Sequence, residues 1–214
     1  MNTLFFDDSY ISKYKLDIKN LSKRWTFESV YHFFIENDIY SSIDENIIKP
    51  YTKDWSNIPD GYADIIAQPK SSHECAIILK TCEMCKIPIT ISAGRTNLTG
   101  SATPLGGVIL TTQLLTNPNI IVNNKNKTVE CPVGIPLEKM RLEVVRQSKQ
   151  KLYYPVDPTS RNDALIGGTI SCNASGFIPG EKGATRYWVE EIELILINGC
   201  SINIKRGQYF SKNG

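Results

Sequence analysis

The stretch that most constrains the fold runs Ser92-Ala93-Gly94-Arg95-Thr96-Asn97-Leu98-Thr99-Gly100-Ser101. It follows Ile87-Pro88-Ile89-Thr90-Ile91, whose β-branched residues read as a short strand. Five of the ten loop residues are glycine, alanine or serine and two more are threonine. A loop of that composition lets backbone N–H groups come close to an anion while hydroxyls add further donors. Its functional reading is a phosphate cradle. The plainer reading is a turn between strands, and a lone glycine pattern does not decide between them.

The surrounding chain narrows the choice of fold. Residues up to about Pro50 are helical in tone, with Trp25, Val30, Phe33 and Phe34 at helical spacings and Thr26 as an N-cap. Residues 1–50 are thus expected to form a helical extension packed on a main domain, 51–214. Tyr51 to Asp64 is polar and turn-rich, and Ile65 to Pro69 reads as a strand. Ser71 and Glu74 have capping-box spacing, each able to satisfy the other's backbone donor. The helix they open runs to about Lys86, with Cys75, Ile78, Leu79, Cys82 and Cys85 on one face and His73 exposed in its first turn. Strands are expected at Val108–Thr112, Ile120–Val122 and Thr128–Val133. Pro136 introduces a helix from Leu137 to about Gln147, with Leu137, Met140, Val144 and Val145 inward. The order is β-α-β, then strands, then helix, which is α+β and not a regularly alternating doubly wound sheet.

Two further blocks follow. Tyr153 to Ser160 is extended, its path set by Pro155 and Pro158. Ile166-Gly167-Gly168-Thr169 then places paired glycines before a short helix or turn, with Asn173-Ala174-Ser175-Gly176 behind it, so that a flat or charged ligand could approach the main chain. Gly183-Ala184-Thr185-Arg186 leads into a strand from Glu191 to Ile197, and Asn198-Gly199 signals a type I′ hairpin returning through Ser201 to Lys205.

Charge excludes several classes of function. The chain of 214 residues has 24 basic and 22 acidic side chains, net +2, and its lysines are scattered. Nucleic acid or an anionic membrane normally demands a concentrated basic patch. No stretch reaches the roughly 18 to 20 apolar residues of a membrane span. The start, Met1 to Asp8, lacks the basic head and apolar core of a signal peptide, so the expected location is cytoplasmic. Cys82-Glu83-Met84-Cys85 has no second pair or histidine at zinc spacing. Its thiols, with Cys75, are expected to be buried and reduced, and no metal site is expected.

Taken in register, the three blocks resemble the FAD-binding domain of the vanillyl-alcohol-oxidase and p-cresol-methylhydroxylase (PCMH) type, in its D-lactate, glycolate and D-2-hydroxy acid dehydrogenase branch. The motifs that carry the resemblance are Ser92–Gly100, then Asp157-Pro158-Thr159-Ser160 with Ile166–Thr169 and Asn173–Gly176, then Gly183–Arg186 with Val189 and the strand closing at Asn198-Gly199. Tyr51-Thr52-Lys53-Asp54-Trp55-Ser56 is similar to the family's usual lead-in, and the match spans about Tyr51 to Gly207. The resemblance implies a two-subdomain PCMH-type fold with mixed and antiparallel sheets flanked by helices. It implies that Ser92, Ala93, Gly94, Arg95, Thr96, Asn97, Gly100 and Ser101 wrap the FAD diphosphate. Arg95 stands where many relatives have glycine; it would either pair with phosphate or point to solvent, the latter slightly favoured. Pro155, Asp157, Thr159, Gly167, Gly168, Ser171, Asn173 and Gly176 would line the flavin end and ribityl chain, and Thr185, Val189 and Ile192 would close the tunnel. For Asp157 a carboxylate capping Ser160 is an equal alternative.

The cradle loop holds neither histidine nor cysteine, so FAD is expected to be non-covalent, which ranks sugar and alditol oxidases second. Family members continue past this domain into a cap carrying substrate contacts and a base, whereas this chain stops at Gly214. Neither His32 nor His73 matches the family's catalytic histidine, so the catalytic residues are unassigned. The resemblance therefore implies the FAD-binding part of an oxidoreductase that moves hydride from a D-2-hydroxy acid to FAD, incomplete for turnover alone. The alternatives are a flavin-holding subunit needing a cap-bearing or electron-transfer partner chain, and a fragment whose glycines serve only as turns.

Overall fold

The computed structural model describes residues 5–178 and 180–209. The first residues of the expected non-signal start and the last residues of the chain, 210–214, lie outside the described residues.

The described residues build two main cores and a smaller apolar cluster of Ile48, Ile66 and Ile109. Helices α1 (Lys15–Leu21), α2 (Phe27–Glu36) and α3 (Glu45–Ile48) come from the amino-terminal segment. Thr26 caps α2 as its spacing implies: its side chain accepts from Ser29 N at 3.1 Å while Ser29 Oγ accepts from Thr26 N at 2.8 Å. The segment also supplies a strand that its sequence does not announce. β1 (Ser41–Ser42) pairs antiparallel with β2 (Ile65–Ala67). Two serines carry no strand propensity, and the buried sheet edge they complete sets their conformation.

β2 leads into α4 (Ser72–Cys85), then β3 (Ile89–Ser92) and β4 (Val108–Thr111). The four-stranded sheet runs β1-β2-β4-β3, with the last three strands parallel. Half of the expected capping box forms at α4. Ser71 Oγ accepts from Glu74 N at 3.2 Å, but the Glu74 carboxylate reaches back one residue further and accepts from Lys70 N at 2.9 Å. α4 meets α1, β4 and β7, so its apolar surface is wider than one stripe: Ile77 and Ile78 are both fully buried. His73 is half-buried and not exposed as expected. Its ring lies edge-on to Tyr10 and Tyr14, and its Nε2 is 3.1 Å from the Tyr14 hydroxyl.

The second core gathers Ile135, Leu137, Met140, Val144 and Ile166. Around it lie the hairpin β5 (Ile121–Asn123) and β6 (Thr128–Glu130), helix α5 (Leu137–Gln147) and the short helix α6 (Ile166–Ser171). Val145, expected inward, is 37% exposed. The last hairpin, β7 (Glu191–Ile195) and β8 (Ser201–Lys205), packs beside α4, with Ile195 against the first core. Its turn is wider than type I′. Only Gly199 of the Asn198-Gly199 pair is left-handed, at φ +80°, and Leu196 N bonds Cys200 O at 2.8 Å around a three-residue loop. This is the α+β, two-subdomain arrangement with mixed and antiparallel sheets.

Candidate functional site

The cradle loop leaves the sheet at the carboxyl end of parallel strands, where crevices for ligands form in such sheets. Ser92, the last residue of β3, pairs with Thr111 of β4 and is fully buried. Its carbonyl accepts from Thr112 N at 2.8 Å, while its hydroxyl has no partner. Three residues on, Arg95 takes φ +55° and its carbonyl accepts from Trp55 N at 3.1 Å. The guanidinium does not point to solvent. It lies 4.4 Å from the centroid of the Tyr51 ring, and its Nη1 is buried without a partner. Tyr51 in turn donates its hydroxyl to Gln113 Oε1 at 2.8 Å.

The rest of the loop is internally braced. Asn97 Oδ1 accepts from Thr99 N and Thr99 Oγ1, both at 3.1 Å, and from Ser101 N at 3.2 Å. Its side chain holds the loop's shape and does not project from it. Asp54, buried at 7% exposure, accepts from Ser56 N at 2.9 Å and Ala102 N at 3.3 Å, tying the Tyr51–Ser56 lead-in to the end of the loop. Burial opposes ionisation of this carboxyl, but hydrogen bonds from Ser56, Ala102 and Asn97 outweigh it and hold the pKa below the usual value.

Among the described residues, four buried side-chain polar atoms lack a hydrogen-bond partner. Three of them, Ser92 Oγ, Arg95 Nη1 and Thr103 Oγ1, fall within the loop and its immediate exit. The fourth, Arg161 Nε, lies 3.2 Å from the Glu138 carboxylate. Since native interiors leave few such groups unpaired, their concentration here marks a place where partners come from outside the chain.

The second block reaches this loop through its glycines. A Cβ on Gly168 would stand 3.1 Å from the Ala93 Cβ, and one on Gly94 would stand 2.1 Å from the Asp163 carbonyl oxygen. The cradle and the start of α6 therefore touch, across the boundary between the two cores. The third block is knitted to the second instead. Thr185 Oγ1 donates to Ala174 O at 2.7 Å, and Asn173, at φ +48°, accepts on its Oδ1 from Arg186 N at 3.0 Å. A Cβ on Gly176 would strike Asp157 N at 2.2 Å, so this glycine is required by close approach of main chain. Pro155 is buried beneath this block, while Thr159 and Ser171 are exposed on it.

Asp157 is held by two arginines and does not cap Ser160. Its carboxylate accepts from Arg161 Nη1 at 2.6 Å and sits 3.2 Å from Arg141 Nη1, and Glu138 pairs with both arginines. Its charge is thus committed to a balanced network that fixes the extended segment, not to a cap on Ser160. Val189 contributes its carbonyl to Arg206 Nε at 2.8 Å. Ile192 lies in β7 opposite Ile204, on the hairpin beside α4 and apart from the cradle contacts.

Sequence reasoning named Tyr51 and Asp54 only within a lead-in and passed over Gln113 and Thr103. Thr103 follows the loop by two residues and carries no pattern of its own, while Gln113 lies beyond β4 and is brought to Tyr51 by strand pairing. A separate cavity of about 320 Å³, lined in part by Asp8, Lys15, Lys19 and Lys80, contains none of the cradle or paired-glycine residues. Among the described residues no group of three metal-ligating side chains converges, and no helix is long and apolar enough to cross a membrane.

Comparison with known proteins gives a concordant result. A family model described as FAD binding domain matches residues 63–205. The chain is 30% identical over 136 residues to a D-lactate dehydrogenase of Anaerostipes hadrus, covering 64% of this chain and 28% of that protein. It is 28% identical over 163 residues to a D-2-hydroxyglutarate dehydrogenase of Stutzerimonas stutzeri, covering 76% of this chain and 34% of the other. Glycolate oxidase subunit GlcD of Bacillus subtilis is 30% identical over 150 residues, at 69% and 30% coverage. The chain thus spans about a third of the length of these relatives. Among solved structures, an alkyldihydroxyacetonephosphate synthase superposes with TM-score 0.70 at 16% identity, over 86% of this chain and 35% of that one. The BBE-like 1 protein of Physcomitrella patens superposes with TM-score 0.72 at 12% identity, over 85% and 38%. At such identities these structures speak for the fold alone.

Proposed function

The chain belongs to the FAD-binding domain family, with the PCMH-type fold, and from that premise we propose that it is the FAD-holding part of an oxidoreductase acting on a D-2-hydroxy acid. The observation that carries the reading is the cluster of unpartnered buried donors at Ser92, Arg95 and Thr103, beside a loop that glycines bring against α6. Hydroxyls and main-chain N–H groups of 92–101 offer donors to a diphosphate, and Gly167 and Gly168 keep the facing wall low enough for a cofactor to lie against main chain. FAD supplies a two-electron acceptor for the hydride leaving the hydroxyl-bearing carbon. The class of substrate rests on the names of the relatives: D-lactate, D-2-hydroxyglutarate and glycolate.

This chain's own contribution is binding and orientation. His32 is exposed on α2, 3.9 Å from Glu28, and His73 is held between two tyrosines. Neither neighbours the cradle, so the base that takes the hydroxyl proton is assigned to a cap or partner chain beyond these residues. FAD is held without a covalent bond in this reading, since loop 92–101 has no histidine or cysteine. A cytoplasmic location is part of this reading.

The test is flavin content and its reduction. The purified chain is expected to carry flavin that acid precipitation releases completely into the supernatant. Flavin retained in the pellet would instead indicate a covalent tether, for which Cys172, exposed in the second block, is the first residue to replace. Gly168→Val forces two methyls toward Ala93 and is expected to strip the cofactor. Bleaching of the flavin by D-lactate under anaerobic conditions, alone or after adding a cap-bearing chain, separates a self-sufficient unit from a partner-dependent one. A folded chain that binds no FAD would sink the proposal.

A further inference from the structure

We infer that Tyr51 and Arg95 form a charged shelf that grips the diphosphate, making this chain selective for the dinucleotide over flavins that lack it. The inference rests on the FAD reading above and concerns an arginine held in the left-handed region. A non-glycine residue at φ +55° is strained relative to glycine, so something must offset the arginine. The structure does not spend its charge internally. The guanidinium is stacked on Tyr51, whose ring packs on the cluster of Ile48, Ile66 and Ile109 and whose hydroxyl is fixed by Gln113. The shelf under the arginine is therefore rigid, and the planar cation is held in one orientation before any ligand arrives.

What is missing is an acceptor. Arg95 Nη1 is buried with no partner, a condition that is costly for a charged donor. The carboxylates of the site are committed elsewhere: Asp54 to Ser56 N and Ala102 N, and Asp157 to Arg161 and Arg141. Ser92 Oγ, three residues upstream in the same loop, is likewise buried and unpaired. A neutral hydroxyl and a guanidinium without acceptors, in a glycine-bearing turn, call for an anionic oxygen with several lone pairs. Within FAD that oxygen is on the diphosphate. The hydroxy-acid carboxylate is the other possible source, and the experiment separates them.

The flavin-free chain would be titrated with FAD, ADP and riboflavin, in parallel with Arg95→Met, Arg95→Lys and Tyr51→Leu, folding being checked by circular dichroism. Arg95→Met is expected to weaken FAD and ADP roughly 10- to 100-fold while riboflavin binding stays unchanged. ADP binding should fall with added salt in the wild type and much less in this variant. Arg95→Lys should recover part of the loss. Tyr51→Leu should weaken ADP in the wild-type background and have no further effect beside Arg95→Met, as expected of a residue acting through the arginine. Should Arg95→Met fail to fold, Arg95→Lys and Tyr51→Leu carry the test. Unchanged ADP affinity in the variants, or an equal loss of riboflavin, would overturn the inference. So would a defect confined to D-lactate, which would hand the arginine to the substrate. A wild-type chain that binds no FAD fails the broader reading, whereas one that binds FAD with or without Arg95 fails only this one.

Discussion

Asp54 shows how much of the cradle's shape depends on one side chain. Its two oxygens take main-chain N–H groups from Ser56 and Ala102, 46 positions apart in sequence, and so close the mouth of the loop. Because its folded pKa lies below the unfolded value of about 3.9, the unfolded chain binds the proton more readily. The stabilisation is therefore fully present above the unfolded pKa and is lost as pH falls through the folded one. Asp54→Asn keeps one acceptor and removes the charge, and should cost about 1–2 kcal/mol at neutral pH. Urea unfolding of both proteins between neutrality and acid is expected to show a constant gap down to about pH 5 that closes below about pH 4. A gap that persisted at low pH would mean that the substitution acts through packing and not through the carboxylate. Asp157 shows the limit of reading one residue from its neighbours. The segment is extended up to a turn at Thr159-Ser160, and of the two arginines that fix the Asp157 charge Arg161 is local while Arg141 comes from α5.

Among the elements, α5 and α4 were the most legible, because long apolar periodicity outweighs local accidents. α5 spans Leu137–Gln147, as its spacing implies. β1 was invisible, since only the neighbouring strand makes Ser41-Ser42 extended, and the hairpin at Asn198-Gly199 was right in kind but wrong in turn geometry. α4 makes a chemical prediction. Burial pushes the thiols of Cys75 and Cys82 up to about 12, and those of Cys85 and Cys131 to about 11. All four are thus poor nucleophiles near neutrality, C-x-x-C spacing notwithstanding. A thiol-reactive disulfide reagent at mildly alkaline pH should label exposed Cys172 first and half-exposed Cys200 more slowly. Buried Cys75, Cys82 and Cys85 should react only after denaturant is added, and half-exposed Cys131, its thiol pushed up to about 11, more slowly than Cys200. Fast modification of Cys82 or Cys85 in the native chain would show that α4 opens, or that the pair does redox work after all.

At the scale of the whole molecule the candidate site is a seam. The cradle belongs to the parallel sheet of the first core, and α6 belongs to the second. They meet where the prospective Cβ of Gly168 comes within 3.1 Å of Ala93 and that of Gly94 within 2.1 Å of the Asp163 carbonyl. The sequence showed that both glycine blocks exist, and their resemblance to one family put them on one ligand. What it could not show was which side chains converge there: Tyr51 and Gln113 reach the seam through strand register and chain reversal, which no local pattern encodes. A cofactor lodged in the seam must order both cores together. At a hundredfold excess over its dissociation constant, FAD would stabilise the chain by about 2.7 kcal/mol, and the protection need not stay where the phosphates bind. Hydrogen exchange with and without FAD is expected to slow residues 92–103 and 166–176 in concert, with little change in β5 and β6 at the far side of the second core. Protection confined to 92–103 would place the cofactor against the first core alone and remove the paired glycines from the site. With Gly168→Val the coupled response should disappear from both segments, because the methyls that crowd Ala93 act on the one contact through which the two blocks share a ligand.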